Sequence, residues 1–124
     1  MDINGTWINQ NGSTVTFEAD ASGCVMGEFR SRKGRASADT GYALAGMQNG
    51  ELLAFQVDWR NDGVNLHSMA SFACRLAVDK DGRDTIHAMW VLARQFEDEA
   101  LSKPTQVWNT FMTNVDIFVR ESAE

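Results

Sequence analysis

Thr14-Val15-Thr16-Phe17-Glu18-Ala19-Asp20 sets Val15, Phe17 and Ala19 on one face and Thr14, Thr16 and Glu18 on the other. A period of two marks a half-buried β-strand, because successive side chains of a strand point to opposite faces of its sheet. Asp20-Ala21-Ser22-Gly23 then has the composition of a turn. The alternation resumes over residues 24–31, where Val25, Gly27, Phe29 and Ser31 share a face, and over 51–59, where Phe55, Val57 and Trp59 do. Further runs cover 6–10, 41–48, 65–78, 84–96 and 111–121, which makes eight strands. Asn49-Gly50 is the strongest hairpin signal, and Asn61-Asp62-Gly63 and Asp79-Lys80-Asp81-Gly82 close two more strands. The polar stretch 32–39 reads as a loop, and residues 97–101 alone have the character of a helical turn.

Eight short strands joined mostly by tight turns predict an all-β domain over residues 1–124, an eight-stranded antiparallel up-and-down β-barrel. Closure removes the two exposed edges that an open sheet would leave. A barrel of eight strands has an interior just wide enough for packed side chains or for one small ligand.

The chain has 124 residues, 44% of them hydrophobic, with four Trp and seven Phe, enough to fill such a core. Its net charge of −6 argues against a nucleic-acid partner, since neutralising phosphates takes clustered Lys and Arg. The one basic cluster, Arg30, Arg32, Lys33 and Arg35, reads as a solvated loop. No run approaches the roughly 20 apolar residues that span a bilayer as a helix, so no membrane is expected. No apolar signal segment follows Met1, which leaves a cytosolic protein or a mature chain whose leader has been removed. Cys24 and Cys74 match no zinc spacing.

The inner faces mix large aromatics with a few hydroxyls. Leu66, Ser68, Ala70, Phe72 and Cys74 share one, and Ile86, Ala88, Trp90 and Leu92 another. Trp and Phe at alternate strand positions also serve as plain core, so the pattern allows a mixed pocket without naming a ligand. An enzyme is not expected. His67 and His87 sit in no zinc motif, and no nucleophile elbow or phosphate loop is present. Ser68, His67 and Asp116 form a triad on paper only, because adjacent Ser68 and His67 of a regular strand point to opposite faces.

Four blocks in order carry a family resemblance. Gly5-Thr6-Trp7-Ile8-Asn9-Gln10-Asn11-Gly12-Ser13 resembles the avidin opening GTWxNxxGS. Trp59-Arg60-Asn61 followed by Asn65-Leu66-His67-Ser68 resembles WKN…NAHS, and Met89-Trp90-Val91-Leu92 resembles [QM]WLL. Trp108-Asn109-Thr110 with Asp116-Ile117-Phe118 is similar to WKxT…[DN]xFT. On these blocks the chain, from Gly5 to about Arg120, is similar to the avidin/streptavidin family. The resemblance implies high-affinity, non-covalent binding of biotin at the open end of the barrel, with no cofactor and no catalysis. Asn9 and Ser13 would donate to the ureido oxygen, and Ser31 and Asp116 would accept from its two N–H groups. Trp59, Phe72 and Trp90 would box the bicyclic ring, with Leu92 at its edge. Ser68 and the backbone near Gly34 and Arg35 would meet the valerate carboxylate. Trp108 would reach a neighbouring subunit's site, which favours a homotetramer over the family's dimers. Met89, Thr113 and Val115 fall where the family places a subunit contact, and a mature form that is secreted or periplasmic is implied likewise.

Two departures bear on affinity. Phe29 stands where the family usually has a tyrosine that donates to the ureido oxygen, and Ala70 where it usually has a threonine near the sulfur. Losing one hydrogen bond to a partly charged oxygen costs roughly 1.5–3 kcal/mol. Somewhat weaker binding than in the tightest members follows; a barrel of this fold holding another small ligand is the alternative, and an unrelated lipocalin-type barrel a third reading. Cys24 and Cys74 lie on strands that are not neighbours, which predicts free thiols.

Overall fold

A computed structural model describes residues 1–31, 40–61, 63–95 and 110–121. Eight strands follow in order: β1 (Gly5–Asn9), β2 (Thr14–Ala19), β3 (Cys24–Arg30), β4 (Tyr42–Asn49), β5 (Leu52–Asn61), β6 (Val64–Val78), β7 (Asp84–Arg94) and β8 (Phe111–Arg120). Each pairs antiparallel with the next, and β8 returns to β1, so the sheet closes into a barrel. The all-β, up-and-down architecture expected from the alternation is the one found. The expected helical turn at 97–101 lies outside the described residues.

The alternation holds because burial follows it. Val15 and Phe17 on β2, Val25 and Phe29 on β3, Phe55, Val57 and Trp59 on β5, and Phe72 and Leu76 on β6 all face a common core. Five rings form a continuous run inside. Phe17 meets Phe55 edge-on at 5.1 Å, Phe55 stacks on Phe72 at 4.5 Å, and Phe72 meets Phe29 at 5.5 Å, which meets Trp59 edge-on at 5.5 Å. Such pairs add about 0.5–1.5 kcal/mol each beyond the area they bury.

Three turns share one construction. In Asp20-Ala21-Ser22-Gly23 the Gly23 N–H donates to Asp20 O at 3.1 Å, and Asp20 Oδ1 accepts from Ser22 N, Ser22 Oγ and Cys24 N. The Ser22 hydroxyl, then the Cys24 amide, hold the Asp20 carboxyl below the usual carboxylate range. Asp79 does the same for Asp81 and Arg83, and Asn9 for Asn11 and Ser13. Each turn ends on a glycine with positive φ, where a side chain would be strained. The Asn49-Gly50 hairpin forms one residue later than its sequence suggests. Asn49 pairs with Leu52, so Gly50 and Glu51 occupy the turn, with Gly50 (φ 59°) at the first central position.

Closure of the barrel uses a short seam, Trp7 to Arg120, Ile8 to Val119 and Asn9 to Phe118. The Arg120 guanidinium lies 4.3 Å from the centre of the Trp7 ring, donates to Asp84 Oδ2 at 3.2 Å and reaches the carbonyls of Asp2 and Asn4. Trp7 Nε1 donates to Ile3 O at 3.0 Å, drawing the fully buried Ile3 under one end of the barrel. That end also holds the turns at 20–23, 50–51 and 79–83. The other end is where β1, β3, β5 and β7 finish.

Gly46 on β4 marks a close approach of backbones between β4 and β5. A Cβ there would sit 2.0 Å from Ala54 O and 2.6 Å from Phe55 Cα. Gly46→Ala is expected to destabilise the barrel by about 1–3 kcal/mol through overpacking. Thermal unfolding checks this, with Gly63→Ala, which meets nothing within 4 Å but has φ +84°, as the comparison for backbone strain alone.

Candidate functional site

Among the described residues, most of those that the sequence singled out gather toward the end where β1, β3, β5 and β7 finish. Among the described residues, five polar side chains are buried: Asn9, Ser13, Ser31, Thr85 and Asp116. Thr85 is explained by its bond to Ala77 O at 3.3 Å. The other four are the ones expected to hold a ureido group. Buried polar groups cost free energy unless partnered, so four in one small barrel need a reason beyond packing.

Asn9 is fixed by the turn it begins. Its Oδ1 accepts from Asn11 N at 3.0 Å and Ser13 N at 2.9 Å. Since only the amide oxygen accepts, this settles which way the amide points. Nδ2 is therefore turned to the interior, where one of its protons goes to Asp116 Oδ2 at 3.2 Å. The same turn sets Ser13, which is 4% exposed. Asp116 comes from β8, 107 residues away in sequence, and barrel closure alone brings it to Asn9.

Gln10 was not singled out by its sequence context. Its Nε2 donates to Asp116 Oδ1 at 3.3 Å and to Val115 O at 3.2 Å, while its Oε1 accepts from Ile117 N at 3.0 Å. The side chain thus continues the β1–β8 ladder for one residue beyond β1 and holds the second carboxylate oxygen. A polar residue in a turn carries no sequence signal for this. Tyr42 is a second such residue. The only tyrosine of the chain, it pairs with Phe29 across β3 and β4 and meets Trp59 edge-on at 5.0 Å.

The aromatic wall stands on three consecutive strands. Trp59 on β5 and Phe72 on β6 are buried, and Trp90 on β7 is half-buried and pairs with Phe72. Ala70 is buried beside them, and Leu92, paired with Ala70, is half-buried. Phe29, 4% exposed, packs on Trp59 and Phe72 as well as Phe118. Gly34, Arg35 and Trp108, also expected at the site, lie outside the described residues.

Strand parity sets Ser68 and His67 on opposite faces of a regular strand, and β6 departs from that regularity at His67. The β5–β6 register shifts between Asp58 and Arg60, and His67 has φ 51°. Both residues border one depression together with Asp58, Arg60 and Arg94. Asp116 is hydrogen-bonded to Asn9 and Gln10, one to each carboxylate oxygen. Ser68 Oγ donates to Leu66 O at 3.4 Å.

The cysteines are free, Cys24 exposed and Cys74 buried. Cys74 shares a register row with Ala88 and Asp116. Burial first, and the Asp116 charge second, push its thiol up to about 12. The neutral thiol is favoured in the folded state. This contribution to stability is complete below the ordinary thiol value near 9 and is lost as pH rises toward 12. At pH 8 iodoacetamide is expected to label Cys24 alone in the folded protein and both cysteines after denaturation; mass spectrometry of intact chains counts the adducts.

Comparisons with known proteins agree with this geometry. Over 95 residues, 75% of this chain, it is 33% identical to Afifavidin of Afifella pfennigii, and it spans 58% of that protein's length. The structure of a rhizavidin–biotin complex is 26% identical with a TM-score of 0.80, covering 99% of this chain and 95% of the other. A short afifavidin–biotin complex is 26% identical with a TM-score of 0.75, covering 94% and 87%. The Avidin family model matches residues 1–121, and the chain belongs to that family.

Proposed function

We infer that this protein binds biotin non-covalently in the open end of its barrel and does not transform it. The observation that carries this reading is the buried set Asn9, Ser13, Ser31 and Asp116, drawn from three parts of the chain and set beside Trp59, Phe72 and Trp90. Rhizavidin and short afifavidin, structural relatives of this barrel, form biotin complexes.

In this reading Asn9 and Ser13 donate to the ureido oxygen. Asn9 has one amide proton on Asp116 and its second left for the ligand. Asp116 and Ser31 accept from the ureido N–H groups. A carboxylate at one N–H draws negative charge onto the ureido oxygen and strengthens the donors opposite it. Trp59, Phe72, Trp90 and Leu92 enclose the ring system, Ser68 and the backbone near Gly34 and Arg35 take the carboxylate, and Phe29 and Ala70 make the site weaker than in the tightest family members. Phe29 supplies ring contact and no hydroxyl at the oxygen.

Thermal unfolding with a large excess of biotin tests the reading. A ligand at about 1,000 times its Kd stabilises the folded state by about 4.1 kcal/mol, a rise of roughly 12–20 °C in Tm. The same experiment on Asn9→Asp separates the site from its turn. Aspartate keeps the accepting oxygen but replaces the donor with a second carboxylate at Asp116, and a loss of at least about tenfold in affinity is expected. No biotin shift in the unaltered protein sends the reading to another small ligand.

Self-association, as a homotetramer in which Trp108 reaches a neighbouring site, belongs to the same proposal. Outward-facing Met89, Val91, Phe111, Val115, Ile117 and Val119 on β7 and β8 are each at least 40% exposed, a contiguous apolar face of the kind that marks an interface. Thr113 lies among them, its hydroxyl bonded to Trp90 O at 2.7 Å. Light scattering should give four times the chain mass, and Val115→Lys should lower it. Secretion or periplasmic residence of the mature chain is part of the proposal as well.

A further inference from the structure

Among the described residues no three of His, Cys, Asp and Glu come together to hold a metal ion. A softer donor set gathers on the outside of the barrel, at the end away from Asn9 and Asp116. Cys24 and Met26 on β3 and Met47 on β4 all point outward. The thiol is exposed, and the two thioether side chains belong to residues 60% and 66% exposed.

The register draws these three side chains together. Cys24 pairs with Met47 across the β3–β4 ladder, and Met26 stands two residues on, opposite Ala45. The turn before β3 decides which kind of pair this is. Cys24 N donates to Asp20 Oδ1 at 3.1 Å and Cys24 O accepts from Asp20 N at 3.0 Å, so both backbone groups point to β2 and away from β4. Gly23 O takes the neighbouring bond to β4, from Gln48 N at 2.8 Å. Cys24 and Met47 are therefore a pair without mutual hydrogen bonds, the closer of the two kinds, with Cα atoms about 4.5 Å apart. Their side chains start about 4.5–5.5 Å apart, with Met26 about 7–8 Å from Met47 on the diagonal. Methionine is unbranched and freely rotating, and its reach closes such gaps onto one ion. Ala45 opposite Met26 and Ala54 opposite Met47 are short and leave room for the thioethers to lean together. Glu18, opposite Met26 on β2, adds negative charge beside them.

We propose that Cys24, Met26 and Met47 form a binding site for a soft monovalent cation, Cu(I), separate from the biotin reading and not resting on it. Thiolate and thioether sulfur select Cu(I), whereas Mg²⁺ and Ca²⁺ seek oxygen and structural Zn²⁺ takes four ligands without thioether. As the S–Cu bond forms, the Cys24 thiol gives its proton to water, the thioethers contribute lone pairs, and no electron changes hands. Cys74 does not compete, being buried, with its thiol pushed up to about 12.

The test uses reduced protein labelled with ¹³C-methyl methionine, whose six methionines give six methyl signals. Ag(I) serves as a redox-inert probe with the same preference for sulfur. One equivalent is expected to shift the Met26 and Met47 signals, identified by their loss in Met26→Leu and Met47→Leu, and to leave the other four in place. Cu(I), measured in competition with a chromophoric chelator, should bind once per chain, and Cys24→Ser should abolish that binding. Replacing both methionines with leucine should weaken it roughly tenfold or more, with thermal unfolding in the absence of metal verifying that the variant is folded. Full affinity in the double leucine variant, or Met26 and Met47 signals that stay still while Ag(I) is bound, would show a thiol acting alone and overturn the proposal. Binding by Cys24→Ser as tight as by the unaltered protein overturns it too, because the metal then sits elsewhere. Each of these outcomes leaves the biotin reading where it stands.

Discussion

Three register pairs join β1 to β8, fewer than join any other two neighbouring strands in the barrel, and both closure and the site depend on them. The seam is short because β1 has only five residues, ending where Asn9 turns the chain. Side chains extend it at both ends. Arg120 covers Trp7 and reaches the carbonyls of residues 2 and 4 at one end, and the Gln10 amide continues the ladder at the other. Hydrogen bonds that Gln10 makes to the backbone of β8 place Asp116 against Asn9. An open sheet with the same eight strands would keep the aromatic wall on β5 to β7 and lose the polar half of the pocket.

The two halves of the site were legible in the sequence to different degrees. The aromatic half follows from parity, since Phe55, Val57 and Trp59, or Phe72 and Cys74, fall on one face wherever the strand is regular. The polar half came from family resemblance, because nothing in the sequence places Asp116 near residue 9. Gln10 escaped notice for a related reason. Its composition says turn, and its partners lie 105 to 107 residues away.

Parity fails where residues are inserted into a ladder. At His67 the backbone enters the left-handed region and the segment opposite Trp59 carries extra residues, so counting by twos stops there, while Ser68 and Ala70 stay in unbroken register with β7. Neither residue type announces this. The Asn49-Gly50 hairpin slipped for a different cause. Both Asn and Gly tolerate the turn, and the pairing of Asn49 with Leu52 leaves the single left-handed position to Gly50.

The three related turns show how a site is grafted onto a fold at small cost. Each needs one side-chain oxygen at its first position, to accept the N–H groups two and four residues on. Asp20 and Asp79 meet that need at the closed end, where their outer oxygens face water. At the open end the first residue is Asn9, and its remaining atom is a donor. An aspartate would make the turn equally well, but it would set a second carboxylate against Asp116 inside a low-dielectric barrel, where like charges repel most strongly. The amide keeps the oxygen that the turn requires and turns its nitrogen toward Asp116 and the cavity. Folding constrains one end of the side chain, and recognition constrains the other.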